Sequence, residues 1–136
     1  MAVVKKAIRY LLYSIIGLLL AAIIVPRTPW YINRQKMQVQ NALIEWCKLQ
    51  PFPSALKETG LNISGGTFSR QFEFSFEIEP IALQQWFTNS EGLKQAIKKN
   101  LDNGFTRYNI KPKQATFCEI DINWAAGKVG ILAYWS

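Results

Sequence analysis

The sequence predicts an α+β protein: one N-terminal transmembrane helix, then a small domain of order α-β-β-α-α-β-β with a four-stranded, mainly antiparallel sheet. Three observations predict it. An uncharged apolar run, Tyr10–Pro26, lies between Arg9 and Arg27. Helical spacing of three and four follows it, and then the spacing changes to strict alternation in Phe72, Phe74, Phe76 and Ile78. A second alternating pair of segments closes the chain.

The apolar run comes close to spanning a hydrocarbon core of about 30 Å at about 1.5 Å per helical residue. Arg9 and Arg27 can snorkel at its ends, and Tyr10, Tyr13, Trp30 and Tyr31 occupy the positions of interfacial aromatics. A cleaved signal peptide needs small residues just before the cut, and the only small pair, Ala21-Ala22, is deep inside the run. An uncleaved signal anchor fits better. Cations tie at three on each side: Lys5, Lys6 and Arg9 against Arg27, Arg34 and Lys36. The tight cluster and the terminal amine favour a cytoplasmic N-terminus, hence a single-pass bacterial inner-membrane protein with a periplasmic domain. The expected divisions are a basic tail at 1–9, an anchor at 10–26 and an exported domain at 27–136.

Thr28-Pro29 has the form of an N-cap followed by proline at the first helical position. The helix over Trp30–Gln50 places Ile32, Val39, Leu43, Trp46 and Gln50 on one stripe, and Pro51-Phe-Pro53 stops it. Ser54–Thr59 suits a short helical turn closed by Gly60. Leu61 and Ile63 then alternate into Gly65-Gly66, a hairpin signal. Phe68, Phe72, Phe74, Phe76 and Ile78 share one parity, against Gln71, Glu73, Ser75, Glu77 and Glu79, and Arg70 interrupts the apolar set near the strand start. Pro80 opens a helix with Ile81, Leu83, Trp86 and Phe87 on its apolar face, ending at Asn89. Ser90 is the expected cap of another helix, carrying Leu93, Ile97 and Leu101 inward and closed by Asn103-Gly104. A loop or short strand at Phe105–Ile110 precedes the final hairpin, Thr116–Trp124 and Val129–Trp135. Both parities of that last strand are apolar, which predicts a central position in the sheet or cover on both sides.

The formal charge of +7 looks like a nucleic-acid signal until it is divided. Lys5, Lys6, Arg9 and Arg27 flank the anchor, and from Thr28 onward 12 basic residues face 9 acidic ones. That balance describes an ordinary domain, so nucleic acid is not an expected partner.

The chain has no histidine, which excludes Ser-His-Asp and Cys-His catalysis and the usual histidine-bearing zinc sites. Gly65-Gly66 lacks the Lys-Ser/Thr of a phosphate loop. Glu73, Glu77 and Glu79 share a strand face, as do Glu119 and Asp121; such pairs can serve as general acid and base in glycoside chemistry, but alternation puts all of them on the side an antiparallel sheet normally leaves solvated. No cofactor, metal or small-molecule substrate is expected, and no enzyme activity. Cys47 and Cys118 either form a bond worth about 3–4 kcal/mol in an oxidising compartment or pack as buried thiols.

Lys94, Lys98, Lys99, Arg107, Lys111 and Lys113 form a basic group offset by Asp102 alone, suited to a solvated face or to anionic lipid or an acidic protein. Asn62-Ile-Ser64 has the form of a glycosylation sequon, which we read as chance. The expected partners are therefore the lipid bilayer and a protein, with Lys94, Lys98, Lys99, Arg107, Phe117, Glu119 and Tyr134 as candidate contacts. The expected function is a non-catalytic anchored binding domain, most concretely an immunity-type inhibitor of an exported toxin or hydrolase. The alternative is an accessory subunit of an envelope complex.

Overall fold

The computed structural model describes residues 1–112, 115 and 117–136, so Lys113 and Thr116 of the sequence reading lie outside the described residues. The chain divides into two compact units, Met1–Lys36 and Met37–Ser136, described here in turn.

In the first unit the apolar run is helical. Helix α1 (Ala2–Ile24, 23 residues) spans about 35 Å at about 1.5 Å per residue, and none of its residues is buried. It is long and apolar enough to cross a membrane or to act as a signal sequence. It begins at Ala2, so Lys5, Lys6 and Arg9 are on the helix itself. A 3-10 turn, Val25–Arg27, follows, and the chain becomes helical again at α2 (Pro29–Trp46). The Thr28 hydroxyl donates to Val25 O at 2.8 Å and accepts from the Tyr31 N–H at 3.4 Å. That is the capping role expected of Thr28-Pro29.

In the second unit α2 ends four residues earlier than the periodicity suggests. Lys48 takes a left-handed conformation (φ 52°), and the Leu49 N–H reaches back to Ile44 O at 3.0 Å. This is a Schellman-type stop made without glycine, and it acts before Pro51 is reached.

The sheet has six strands rather than four: β1 (Lys57–Ser64), β2 (Arg70–Glu77), β3 (Ile97–Asn100), β4 (Thr106–Ile110), β5 (Phe117–Asn123) and β6 (Lys128–Trp135). Their order is β1-β2-β6-β5-β4-β3, and every neighbouring pair is antiparallel. The last strand is central, the first of the two positions its apolar parities allow.

Of the two additional strands, β4 is the segment expected as a loop or short strand, and β3 comes from the segment expected to be a helix over 90–103. Helix α3 (Pro80–Asn89) forms as expected, but α4 is only Glu91–Lys94. Leu93 is buried, whereas Ile97 is 74% exposed on β3. Asn103-Gly104 turns a hairpin, with Leu101 N–H donating to Phe105 O at 2.9 Å. The same dipeptide serves a helix end and a hairpin, and pairing with β4 decides between them. Pairing also converts Lys57–Thr59 from the expected helical turn into strand, since Lys57 sits opposite Glu77. Phe68 is 83% exposed and precedes the strand, while Arg70 is its first residue.

One face of the sheet is the core. Phe72, Phe74 and Phe76 of β2, Val129, Ile131 and Ala133 of β6 and Ile120 and Ile122 of β5 are buried with Val39 and Leu43 of α2 and Leu83 and Trp86 of α3. Phe52, from the segment after α2, packs edge-on against Phe74 and Phe76 at 5.2 and 5.6 Å and stacks on Trp86 at 5.8 Å. Such aromatic pairs add about 0.5–1.5 kcal/mol each beyond area burial.

The end of α2 is tied to the sheet and to the α3–α4 junction. Cys47 and Cys118 are bonded, with Cα atoms 5.9 Å apart and both residues buried. Gly92 N–H donates to Lys48 O at 2.8 Å, Gln50 N–H to Ser90 Oγ at 3.0 Å, and Trp86 Nε1 to Gln50 O at 3.0 Å. Ser90 is fully buried and its hydroxyl donates to Trp86 O at 2.8 Å. It therefore bridges segments instead of capping α4. Gly92 lies so close to the Cys47 carbonyl that a Cβ would overlap it.

Two outcomes are expected. Replacing Cys47 and Cys118 by Ala removes a cross-link between residues 71 apart and should lower unfolding stability by about 4 kcal/mol. Urea denaturation of wild type, with and without reductant, against the double variant checks this. Gly92→Ala should shift the urea midpoint further than Gly130→Ala, because only the first forces backbone apart.

Candidate functional site

Alternation that sends one set of side chains into the core sends the other set onto the opposite face, and neither α2 nor α3 contributes core residues there. Strand register orders that face into rows. One row runs Asn62, Glu73, Leu132, Glu119, Asn109 and Ile97 from β1 to β3. The next runs Gly60, Ser75, Gly130, Asp121, Arg107 and Lys99. A third places Gln71, Tyr134 and Phe117 side by side on the three central strands.

The polar centre is an ion cluster. Arg107 is directly opposite Asp121 and donates to it through Nε and Nη2, each at 2.8 Å, in a bidentate pair. Its Nε is also 3.1 Å from Glu119 Oε1. The hydrogen bond to Asp121 raises the Arg107 pKa above its ordinary value; partial desolvation opposes this, and the charges of Asp121 and Glu119 reinforce it. The guanidinium therefore stays charged throughout the accessible pH range. Glu73 accepts from Gln71 Nε2 at 2.7 Å. Lys128 stands 3.9 Å from Glu77, an exposed and weak pair.

Beside this cluster Gly130 has no side chain, and a Cβ built there would meet nothing within 4 Å. The result is a hollow of about 250 Å³ lined by Glu73, Ser75, Arg107, Glu119, Asp121 and Leu132. It is contiguous through Ser75, Gly130 and Asp121 with a second hollow of about 390 Å³ that reaches Glu77, Phe105 and Lys128. Along the third row Phe117, 37% exposed, stacks on Tyr134 at 5.9 Å.

A larger cavity, about 590 Å³, lies elsewhere, between the end of α2 and α4, with Lys48, Gln50, Glu91, Gly92, Gln95 and Lys111 in its wall. Its backbone groups at Lys48, Gln50 and Gly92 already bond one another or Ser90 and Trp86. It is therefore a by-product of the tie and offers less unspent chemistry than the open face.

The structure gathers Arg107, Phe117, Glu119 and Tyr134 onto one surface, with Lys99 opposite Arg107. It separates the rest of the lysine group. Lys98 is opposite the buried Tyr108 and so has the other parity, and Lys94 is on α4. These lysines do not share a helical face, because the expected helix is divided between the short α4 and the strand β3. Arg107 is not a spare cation but the partner of two carboxylates. Two features escape sequence reasoning: the Arg107–Asp121 pairing and the hollow at Gly130. Both depend on inter-strand register, for which a single strand carries no signal. Among the described residues no group of three or more His, Cys, Asp or Glu is arranged to hold a metal ion. Compared with protein-family models, curated proteins and solved structures, the chain matches none.

Arg107→Gln should leave Asp121 and Glu119 as adjacent like charges and lower stability by about 0.5–1 kcal/mol, since the pair is about a third exposed. The loss should shrink in 1 M NaCl, where the Debye length is about 3 Å. Thermal melts at low and high salt check it.

Proposed function

We propose that the chain is a membrane-anchored, non-catalytic protein-binding domain, most concretely an immunity-type inhibitor of an exported toxin or hydrolase. One observation carries the reading: the uncovered sheet face joins a stacked aromatic pair, a bidentate ion cluster and a glycine hollow on a rigid support. Aromatic anchors beside a bidentate charge pair and a recess are the usual ingredients of an interface hot spot. The carboxylates are engaged by Arg107, which favours recognition over acid–base chemistry for Glu119 and Asp121. The buried disulfide fits an oxidising compartment, which supports a periplasmic domain with the N-terminus and its Lys5, Lys6 and Arg9 in the cytoplasm of a bacterium.

The second reading, an accessory subunit of an inner-membrane or envelope complex, is favoured by α1, whose surface is exposed on every side and can pack against other membrane helices.

Affinity capture of tagged full-length chain from its own membranes tests the first reading when three forms are compared. The wild type and a Glu91→Gln variant should retain one stoichiometric toxin or hydrolase, and Tyr134→Asp should lose it. Equal retention by all three would remove the open face from recognition. Replacing α1 by an unrelated anchor should leave an inhibitor protective, whereas a subunit that uses its membrane helix should no longer assemble.

A further inference from the structure

The charge of this chain is distributed in a way that protein recognition by the sheet face does not use. The first acidic residue is Glu45. Before it stand Lys5, Lys6, Arg9, Arg27, Arg34 and Lys36, while residues 45–136 carry 10 basic against 9 acidic side chains. Six of the seven net positive charges therefore belong to the anchor and the chain just after it. The unit Met1–Lys36 contains no Asp or Glu.

The end of α1 gives two of these cations a defined setting. Arg27 closes the 3-10 turn, and Thr28 caps α2 immediately beyond it. Trp30 is 64% exposed, and the Arg34 guanidinium lies over its ring, 5.5 Å from the centroid. Four residues apart on one helix face, the two side chains form a flat apolar surface with a delocalised charge upon it. Amphipathic rings of this kind rest at headgroup depth, and arginine suits phosphate through its planar donor fork.

We propose that Arg27, Trp30 and Arg34 form a phospholipid-headgroup binding element, selective for anionic lipid, at the end of α1. Charge complementarity names the occupant: Arg27 and Arg34, in a sequence with no acidic residue before Glu45 and next to a helix fit to cross a bilayer, suit anionic headgroups at the bilayer surface. The proposal goes beyond recognition by the sheet face, is independent of any protein partner, and requires only that α1 enters a bilayer. Its consequence is mechanical, because headgroup contacts on Arg27 and Arg34 fix how far α1 sinks into the membrane.

The test uses full-length chain in phosphatidylcholine vesicles doped with spin-labelled phosphatidylglycerol or spin-labelled phosphatidylcholine. Motionally restricted lipid is read by electron paramagnetic resonance. A Lys5→Gln, Lys6→Gln, Arg9→Gln background removes the opposite cluster. In that background phosphatidylglycerol should still be preferred, by roughly five-fold for each engaged cation. Adding Arg27→Gln and Arg34→Gln should remove most of the preference, and Trp30→Ala should reduce it. Arg27→Lys with Arg34→Lys should keep most of it, which separates charge from folding. Equal restriction of both lipids in the background variant, or a preference unchanged by the Arg→Gln pair, overturns the proposal and leaves an acidic segment of another chain as the occupant. Failure of the chain to co-float with either vesicle overturns it too, by removing the anchor, whereas loss of protein capture by Tyr134→Asp bears only on the sheet face.

Discussion

The bond between Cys47 and Cys118 and the hydrogen bonds around it form the constraint on which the domain depends. Cys47 and Cys118 are 71 residues apart in sequence, and their bond ties the end of α2 to β5. Three backbone or hydroxyl contacts then hold residues 48–50 against the α3–α4 junction. Each satisfies a buried polar group that would otherwise cost about 1–3 kcal/mol. The crowding is close enough that residue 92 must be glycine. With α2 held this way, Val39 and Leu43 cover the sheet and Phe52 is delivered between Phe74, Phe76 and Trp86.

Covering one face defines the other. Because side chains alternate, the residues that cannot enter the core become the candidate functional surface, and the fold spends no extra element on building it. Its polarity is uneven. Aromatic contact sits at the Phe117–Tyr134 end, the charge cluster at Arg107, Glu119 and Asp121, and the recess between strands at Gly130. Antiparallel pairing holds these parts at fixed spacing, so a partner can be matched without ordering a loop first.

Legibility in the sequence followed the range of the interaction. The apolar helix, the Thr28 cap, the α3 boundaries, the aromatic strand and the closing hairpin are all written in neighbouring residues. The segment 90–103 was misleading because Leu93, Ile97 and Leu101 repeat every four residues while β4 offers a free edge. Tertiary pairing outweighed a local preference of a few tenths of a kcal/mol per residue, a contest that is common for short elements. The lysine group dispersed for the same reason.

By itself, the sequence determined an apolar N-terminal helix, an α+β order, a cysteine, Cys118, on the apolar parity of its strand and a solvated set of strand side chains, because each is a matter of period or composition. Tertiary structure alone decided that there are six strands, that Cys47 meets Cys118, that Arg107 is spent on Asp121 and Glu119, and that Gly130 leaves a hollow beside them. Register and chain crossing join residues far apart in sequence, and periodicity within one segment does not encode where another segment will lie.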